Sequence, residues 1–158
     1  MLAKTFVSMF GFMRIDIDEV KKEFVGDVFD EDVSPENWHK IFAEYYLRIQ
    51  KALHEGKTVI SDNSSPTKEG RQKLRSIGEK EHVFTKVIYV NTPKEIVTKR
   101  WIENKETQNR FDITEKTFQE ALAEMEVPTA DENVLIYFWK NNLSEWIEKN
   151  FKFLDKLE

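Results

Sequence analysis

The sequence predicts an α/β layered domain with a mostly parallel sheet. Three observations carry this. Short apolar runs of strand character recur along the chain, longer stretches with helical spacing of apolar residues alternate with them, and Asp, Ser, Thr, Pro or Gly stand at the joins. The clearest join is Lys57-Thr-Val-Ile-Ser-Asp-Asn-Ser64, where Thr58 to Ser61 have strand character and run straight into Asp62 and Asn63. An apolar run closed by an acid reads as a buried parallel strand that delivers a carboxylate to the sheet's C-terminal edge, where α/β proteins bind ligands.

In chain order, Leu2, Phe6, Met9 and Phe10 have helical spacing and Gly11 supplies a stop, so Leu2 to Phe10 predicts a helix. No capping residue precedes it, which reads as the remainder of a longer helix. Phe12 to Ile17 predicts a short strand with Asp18 at its end, followed by a helical stretch over Glu19 to Phe24. A polar loop leads to Ser34-Pro35, a helix start with Ser as N-cap and Pro in first position. The helix that follows has the strongest pattern in the chain: Trp38, Ile41, Phe42, Tyr45, Ile49 and Leu53 form one apolar stripe, and Gly56 ends it.

After the Asp62 strand, Ser65-Pro66 is read as the cap of a helix running to about Glu81, with a thin apolar face of Leu74 and Ile77. Val83 to Val90 predicts a second buried strand. Thr92-Pro-Lys-Glu95 has the form of a capping box, opening a helix from Lys94 to about Lys105. Lys105 to Asp112 is polar and holds Arg110. A helix then starts at Thr114, with Ile113 and Phe118 spaced for a hydrophobic staple, and runs to about Met125 before Val127-Pro128-Thr129 stops it. Val134 to Phe138 predicts a last strand. Ser144 to Leu157, with Trp146, Ile147, Phe151 and Leu154, predicts a C-terminal amphipathic helix.

Composition bounds the function. With 158 residues, 40% hydrophobic and 13% aromatic, the chain suits one globular domain with a sizeable core. The absence of cysteine excludes disulfides, thiolate metal sites and a cysteine nucleophile, and it fits a reducing, cytoplasmic setting. A net charge of −5 argues against a broad nucleic-acid surface but leaves room for a local basic pocket. Lys4 before the apolar run Phe6 to Met13 imitates a signal peptide, but no small-residue cleavage site follows and Arg14-Ile-Asp-Ile-Asp18 continues as structure. No run reaches the ~18 apolar residues of a membrane span, so no membrane partner is expected.

Asp16 and Asp18 after the first strand and Asp62 after the second would open on the same edge of a parallel sheet and could converge on one cleft. The alternative is that these acids only cap the helices that follow. Arg100 and Arg110 are candidates for phosphate binding, because a guanidinium fork matches phosphate oxygens; the plainer reading of each is a solvated surface arginine. His39, His54 and His82 have no partner at catalytic or metal-ligand spacing. The tryptophans at 38, 101, 139 and 146 sit in apolar or amphipathic patterns and read as packing residues.

Leu2-Ala-Lys-Thr-Phe-Val-Ser-Met-Phe-Gly-Phe-Met-Arg-Ile-Asp-Ile-Asp18 resembles the stretch that follows the Gly-Lys-Ser/Thr of small P-loop kinases, in the branch of polynucleotide 5′-kinases and zeta-toxin-like enzymes. Asp18-Glu-Val-Lys21 resembles that family's Asp-x-x-Arg, and Val59-Ile-Ser-Asp-Asn63 its acidic strand. Val87-Ile-Tyr-Val-Asn-Thr-Pro93 resembles its fourth strand and turn, Lys99-Arg100 its nucleotide-contacting arginine, Arg110 its lid, and Val127-Pro-Thr-Ala-Asp-Glu132 the stretch after the lid helix. The resemblance implies a P-loop NTPase-like α/β/α domain over 1–158, with a lid at about 100–126 and a terminal helix at about 144–157.

The resemblance also implies roles. Asp18 is expected to be the general base for the acceptor hydroxyl. Lys21 is expected to contact an anionic group of the acceptor, without the bidentate fork of the family's arginine. Asp62 is expected to hold Mg²⁺ through water or touch the acceptor, with Asn63 beside it. Arg100 and Arg110 are expected to neutralise the transferring phosphoryl group of ATP, with Thr92 on the nucleotide side. The acceptor is a small molecule, a nucleotide or a polynucleotide end.

The departure from the family is equally specific. Its first strand and Gly-x-x-x-x-Gly-Lys-Ser/Thr loop would stand just before Leu2, where the sequence has Met1, and the glycines at 11, 26, 56, 70 and 78 form no phosphate loop. That strand would lie between the Asp62 strand and the Val87 strand, and removing it from a sheet spaced at ~4.8 Å leaves a gap of ~10 Å. The expectation is therefore a kinase-like chain that by itself transfers phosphate poorly. The competing expectation is a non-catalytic kinase-fold module used for binding or for pairing as a homodimer.

Overall fold

A computed structural model describes residues 2–108 and 112–152. Its elements in order are α1 (Leu2–Phe10), β1 (Met13–Asp16), α2 (Ile17–Val25), α3 (Pro35–His54), β2 (Val59–Asp62), α4 (Lys68–Lys80), β3 (Val87–Asn91), α5 (Lys94–Thr107), α6 (Glu115–Glu124), β4 (Val134–Phe138) and α7 (Leu143–Phe151). Single 3₁₀ turns at Asp30–Asp32 and Ala130–Glu132 complete the set. The alternation of helices and parallel strands agrees with the predicted fold class. The strands form two parallel pairs, β1 with β2 and β3 with β4. The chain divides into two compact units, Ala3–Thr85 with Asp112–Val127, and Lys86–Phe111 with Pro128–Glu158.

The first unit is built around α3. Ser34 accepts a hydrogen bond from the Asn37 N–H at 3.2 Å, and Pro35 opens the helix. Its inward stripe, Ile41, Tyr45, Ile49 and Ala52, is buried with Ile15, Ile17, Val20 and Val33, and Trp38, Phe42 and Leu53 pack at the margin. Complete burial of a side chain such as Ile41 stabilises the fold by about 1.5–3 kcal/mol. Tyr45 crosses to β2, where its hydroxyl meets Ser61 Oγ at 2.5 Å. Burial pushes the Tyr45 phenol up to about 12, so it stays a neutral hydrogen-bonding strut. Gly11, with φ +67°, donates its N–H to the Val7 carbonyl at 3.0 Å and stops α1, as predicted.

Several boundaries differ from the sequence pattern for identifiable reasons. β1 is shorter than Phe12 to Ile17 because the Asp16 side chain accepts from the Asp18 N–H at 2.9 Å and caps α2. Ile17 and Asp18 are thereby drawn into the first helical turn, and Asp18 is not at a strand end. α4 is capped by Thr67, whose Oγ1 accepts from the Gly70 N–H at 3.1 Å, and not by Ser65-Pro66. The Pro66 carbonyl accepts from Arg71 Nη1 at 2.9 Å and from the Glu126 N–H at 3.0 Å instead.

β3 begins at Val87, four residues later than Val83, because Val83 is still engaged in the exit of α4 through an N–H to the Gly78 carbonyl at 2.9 Å. Phe84 is 78% exposed and cannot be a buried strand residue. In the second unit, the Thr92 capping box does not form: Pro93 is the N-cap residue of α5 and no side chain caps it. α7 starts at Leu143 under an Asn142 cap. It packs on β4 through Trp146, whose Nε1 donates to the Ile136 carbonyl at 3.0 Å and whose ring meets Tyr137 edge-on at 5.2 Å. The predicted end of that helix, at Leu157, lies outside the described residues.

Candidate active site

β1 and β2 run parallel in a register that sets Asp16 opposite Asp62. Paired residues of neighbouring parallel strands share a face, so two carboxylates stand side by side at the C-terminal ends of the pair. Asp18, in the first turn of α2, adds a third. The register brings Asp16 and Asp62 to one strand edge, while the cleft that opens along β1 is lined by Asp16 and not by Asp18 or Asp62. The alternative reading holds for Asp16, which is the N-cap of α2.

Three like charges need compensation, and Arg14 provides it. Side chains alternate along a strand, so Arg14 lies on the same face as Asp16. Its Nε donates to Asp62 Oδ2 at 2.6 Å, its Nη1 to Glu19 Oε1 at 2.8 Å, and its Nη2 pairs with Asp16 Oδ2. Burial works against the Arg14 charge, but the hydrogen bonds to Asp62 and Glu19 outweigh it and raise its pKa. Arg14 was missed as a site residue. The alternation Arg14-Ile15-Asp16 was visible, but its link to Asp62, 48 residues away, depends on strand register.

Asp18 is the exposed acid of the group. Partial desolvation raises its carboxyl above the ordinary aspartate range; Asp30 and Asp62 push the same way, while Lys21 and Arg14 oppose them. A carboxylate with a raised pKa and an open face is suited to accept a proton. A cleft of about 390 Å³ opens along β1 beside the group, sharing Arg14, Asp16 and Glu19 with it and bounded by Arg48, Lys51 and Glu55 on the far side.

The other predicted site residues fall as follows. Lys21 is 1% exposed, and its Nζ donates to Asp30 Oδ1 at 2.6 Å and to the Val28 carbonyl at 3.1 Å. The ammonium faces the loop between α2 and α3. Asn63 follows β2, and its Oδ1 is 3.5 Å from the Ser65 N–H, bridging a turn in which Ser65 has φ +38°. Thr92 and Arg100 belong to the second unit. Arg100 is exposed and lies over the Trp139 ring at 5.9 Å, so it is held by an aromatic face. Arg110 lies outside the described residues.

Asp16, Asp18, Asp62 and Asn63 offer oxygen donors only, the ligand type that Mg²⁺ takes. Among the described residues, no group of three or more His, Asp or Glu side chains is placed to hold a metal by itself. Among the same residues no helix is long and apolar enough to cross a membrane.

Comparison with known proteins agrees with this architecture. Among curated proteins none matches the chain. A gluconokinase from Sinorhizobium meliloti 1021 is similar in structure, with a TM-score of 0.61 at 14% identity over 99% of this chain and 84% of that one. A sugar kinase from Janibacter sp. HTCC2649 gives a TM-score of 0.65 at 15% identity, covering 98% of this chain and 86% of the other. At such identities the likeness concerns the fold alone, which this chain shares with these two kinases. The model of an AAA domain family matches residues 1–128, and the chain belongs to that family.

Proposed function

We propose that this chain is a phosphotransferase domain that moves the γ-phosphoryl group of ATP to a hydroxyl of a small polar acceptor or a nucleotide end. The observation that carries the reading is the in-register placement of Asp16 and Asp62 at the C-terminal ends of two parallel strands, with Asp18 in the first turn of the helix that follows and a cleft along β1 that Asp16 lines. The structural likeness to a gluconokinase and a sugar kinase supports a sugar-like acceptor within that class. In the step itself, the acceptor oxygen bonds to the γ-phosphorus, the bond to the β–γ bridging oxygen breaks, and the acceptor's proton passes to the Asp18 carboxylate. Mg²⁺ bound with ATP supplies charge neutralisation across the phosphates. Asp62 would hold that ion, directly or through water, with Asn63 and Asp16 as neighbouring oxygen donors.

Residues 1–158 contain no glycine-rich phosphate loop, so the backbone N–H cradle and lysine for the triphosphate must come from other residues. The 158-residue chain alone is accordingly a weak kinase. A second reading, a non-catalytic module acting in binding or self-association, is favoured by one feature: Lys21 is spent inside the fold on Asp30 and Val28.

Calorimetry of Mg·ATP on the chain, and on the chain preceded by the strand and phosphate loop of a related kinase, separates these. Binding and transfer only with the loop present, lost in Asp62→Ala with the fold retained, is the expected result. No binding by either form would reject the kinase reading in favour of the module. Equal binding by both would reject the dependence on the loop.

A further inference from the structure

β1 uses one of its two edges. Met13 gives its N–H to the Thr58 carbonyl, just before β2, at 2.9 Å. Successive residues of a strand turn their N–H and C=O to opposite sides, so Met13 and Ile15 serve β2, while the main-chain groups of Arg14 and the Asp16 N–H face outward. Among the described residues no strand takes up those outward groups. The cleft of about 390 Å³ lies on this side: every residue of β1 lines it, from both faces of the strand, and no residue of β2 does. All that lines it belongs to the first unit.

We infer that this cleft is a strand-docking site, in which an extended acidic segment of a partner protein adds to the outer edge of β1. The inference goes beyond the phosphotransferase reading and does not depend on it. Main-chain hydrogen bonds to Arg14 and Asp16 give the pairing, as in other edge-strand recognition. Side chains of α2 and α3 also line the cleft, so the edge is recessed and has room for a single extended segment. The equally recessed and charged β1 of a second copy cannot reach it. Buried Val20 and Ala52 provide an apolar floor, and the lining carries four cations against three carboxylates in a chain of net charge −5. Arg14 is held by Asp62 and Glu19, Arg48 by Glu23 and Glu44, and Lys57 by Glu55. Lys51 is exposed and, among the described residues, has no carboxylate at ion-pair distance, which leaves its ammonium for an acid of the docked segment.

The test uses the full chain and, as probe, an acetylated and amidated peptide of alternating valine and glutamate. Binding is read by titration, and amide hydrogen exchange is read residue by residue along β1. Two control peptides accompany it: the same sequence N-methylated at every residue, which keeps the charges and loses the donors, and the sequence with lysine for glutamate. The expected result is slower exchange at Arg14 and Asp16 on binding, with Met13 and Ile15 unchanged. The N-methylated peptide should bind about tenfold more weakly, the scale of a lost main-chain hydrogen bond. Lys51→Glu should weaken the acidic peptide about fivefold, the scale of one exposed ion pair.

Equal binding of the acidic and N-methylated peptides, with no protection at Arg14 or Asp16, would reduce the effect to charge capture and overturn strand docking. Protection of those amides by the lysine peptide as well as by the acidic one overturns the assignment of an acidic partner. Protection that appears with protein concentration alone, together with a doubled mass in solution, makes the occupant a second copy and also overturns it. No binding of any peptide overturns it outright, and none of these outcomes bears on Mg·ATP binding by the loop-bearing protein.

Discussion

Replacing Lys21 with methionine tests what the buried ammonium does. Methionine preserves most of the aliphatic stem and its packing, so the change isolates the charge. The lost interactions include one charge-assisted hydrogen bond to Asp30 Oδ1 at 2.6 Å and one to the Val28 carbonyl at 3.1 Å. A hydrogen bond to a charged group contributes about 1.5–3 kcal/mol, and a buried carbonyl left without a donor costs about 1 kcal/mol more. Against this, Asp30 is 32% exposed and can turn its carboxylate to water, which offsets part of the loss. The net expectation is destabilisation by ~2 kcal/mol.

With a urea m-value of about 1–3 kcal/mol/M, that shift lowers the midpoint by about 1 M, readable by far-UV circular dichroism. The same loop is held by Trp38, whose Nε1 donates to the Asp30 carbonyl at 3.2 Å, so Asp30→Asn should couple with Lys21→Met in a double-variant cycle. A variant as stable as wild type, with only its acceptor KM raised, would refute the strut and return Lys21 to the substrate.

Two further outcomes follow from named residues. Asp18 has a folded-state pKa above its unfolded value, so it favours folding at low pH, and that contribution is lost as pH rises through the folded pKa. Asp18→Asn should therefore be at least as stable as wild type near pH 7, with no gain near pH 3, while phosphoryl transfer by the loop-bearing protein is lost; a stability loss near neutral pH would contradict the assignment. At Gly78 an added Cβ would lie 2.3 Å from Thr85 Cγ2, on a β-branched side chain with little freedom to move. The clash costs about 1–3 kcal/mol and alanine's helix propensity returns ~1 kcal/mol, so Gly78→Ala should destabilise by ~1 kcal/mol in urea unfolding, and a stabilised variant would refute it.

The α/β alternation, the Ser34-Pro35 helix start, the Ile41-Tyr45-Ile49 stripe, the Gly11 stop and the strand Val134 to Phe138 were all legible in the sequence. Each is a local signal: a period, a cap, or a backbone conformation that one residue type favours. The misplaced boundaries share an opposite cause. Asp16 caps α2 and shortens β1, Thr67 replaces Ser65-Pro66 because Pro66 is claimed by Arg71 and Glu126, and Val83 stays with α4. In each case two local signals competed, and a partner elsewhere in the chain decided between them.

The site shows the same division. That acids stand where strands give way to helices could be read from Asp16, Asp18 and Asp62 directly. Which of them share a face, and which cation holds them, is set by the parallel register that puts Asp16 beside Asp62 and brings Arg14 to both. Lys21 was legible as a cation at a family position, yet its direction depended on the loop that folds over it to bring Asp30 and Val28 within reach. Sequence specified the chemistry available, because residue type and local period are carried by the chain itself. Tertiary structure alone decided the pairings, because hydrogen bonds and ion pairs act over a few ångströms between groups the chain separates by tens of residues.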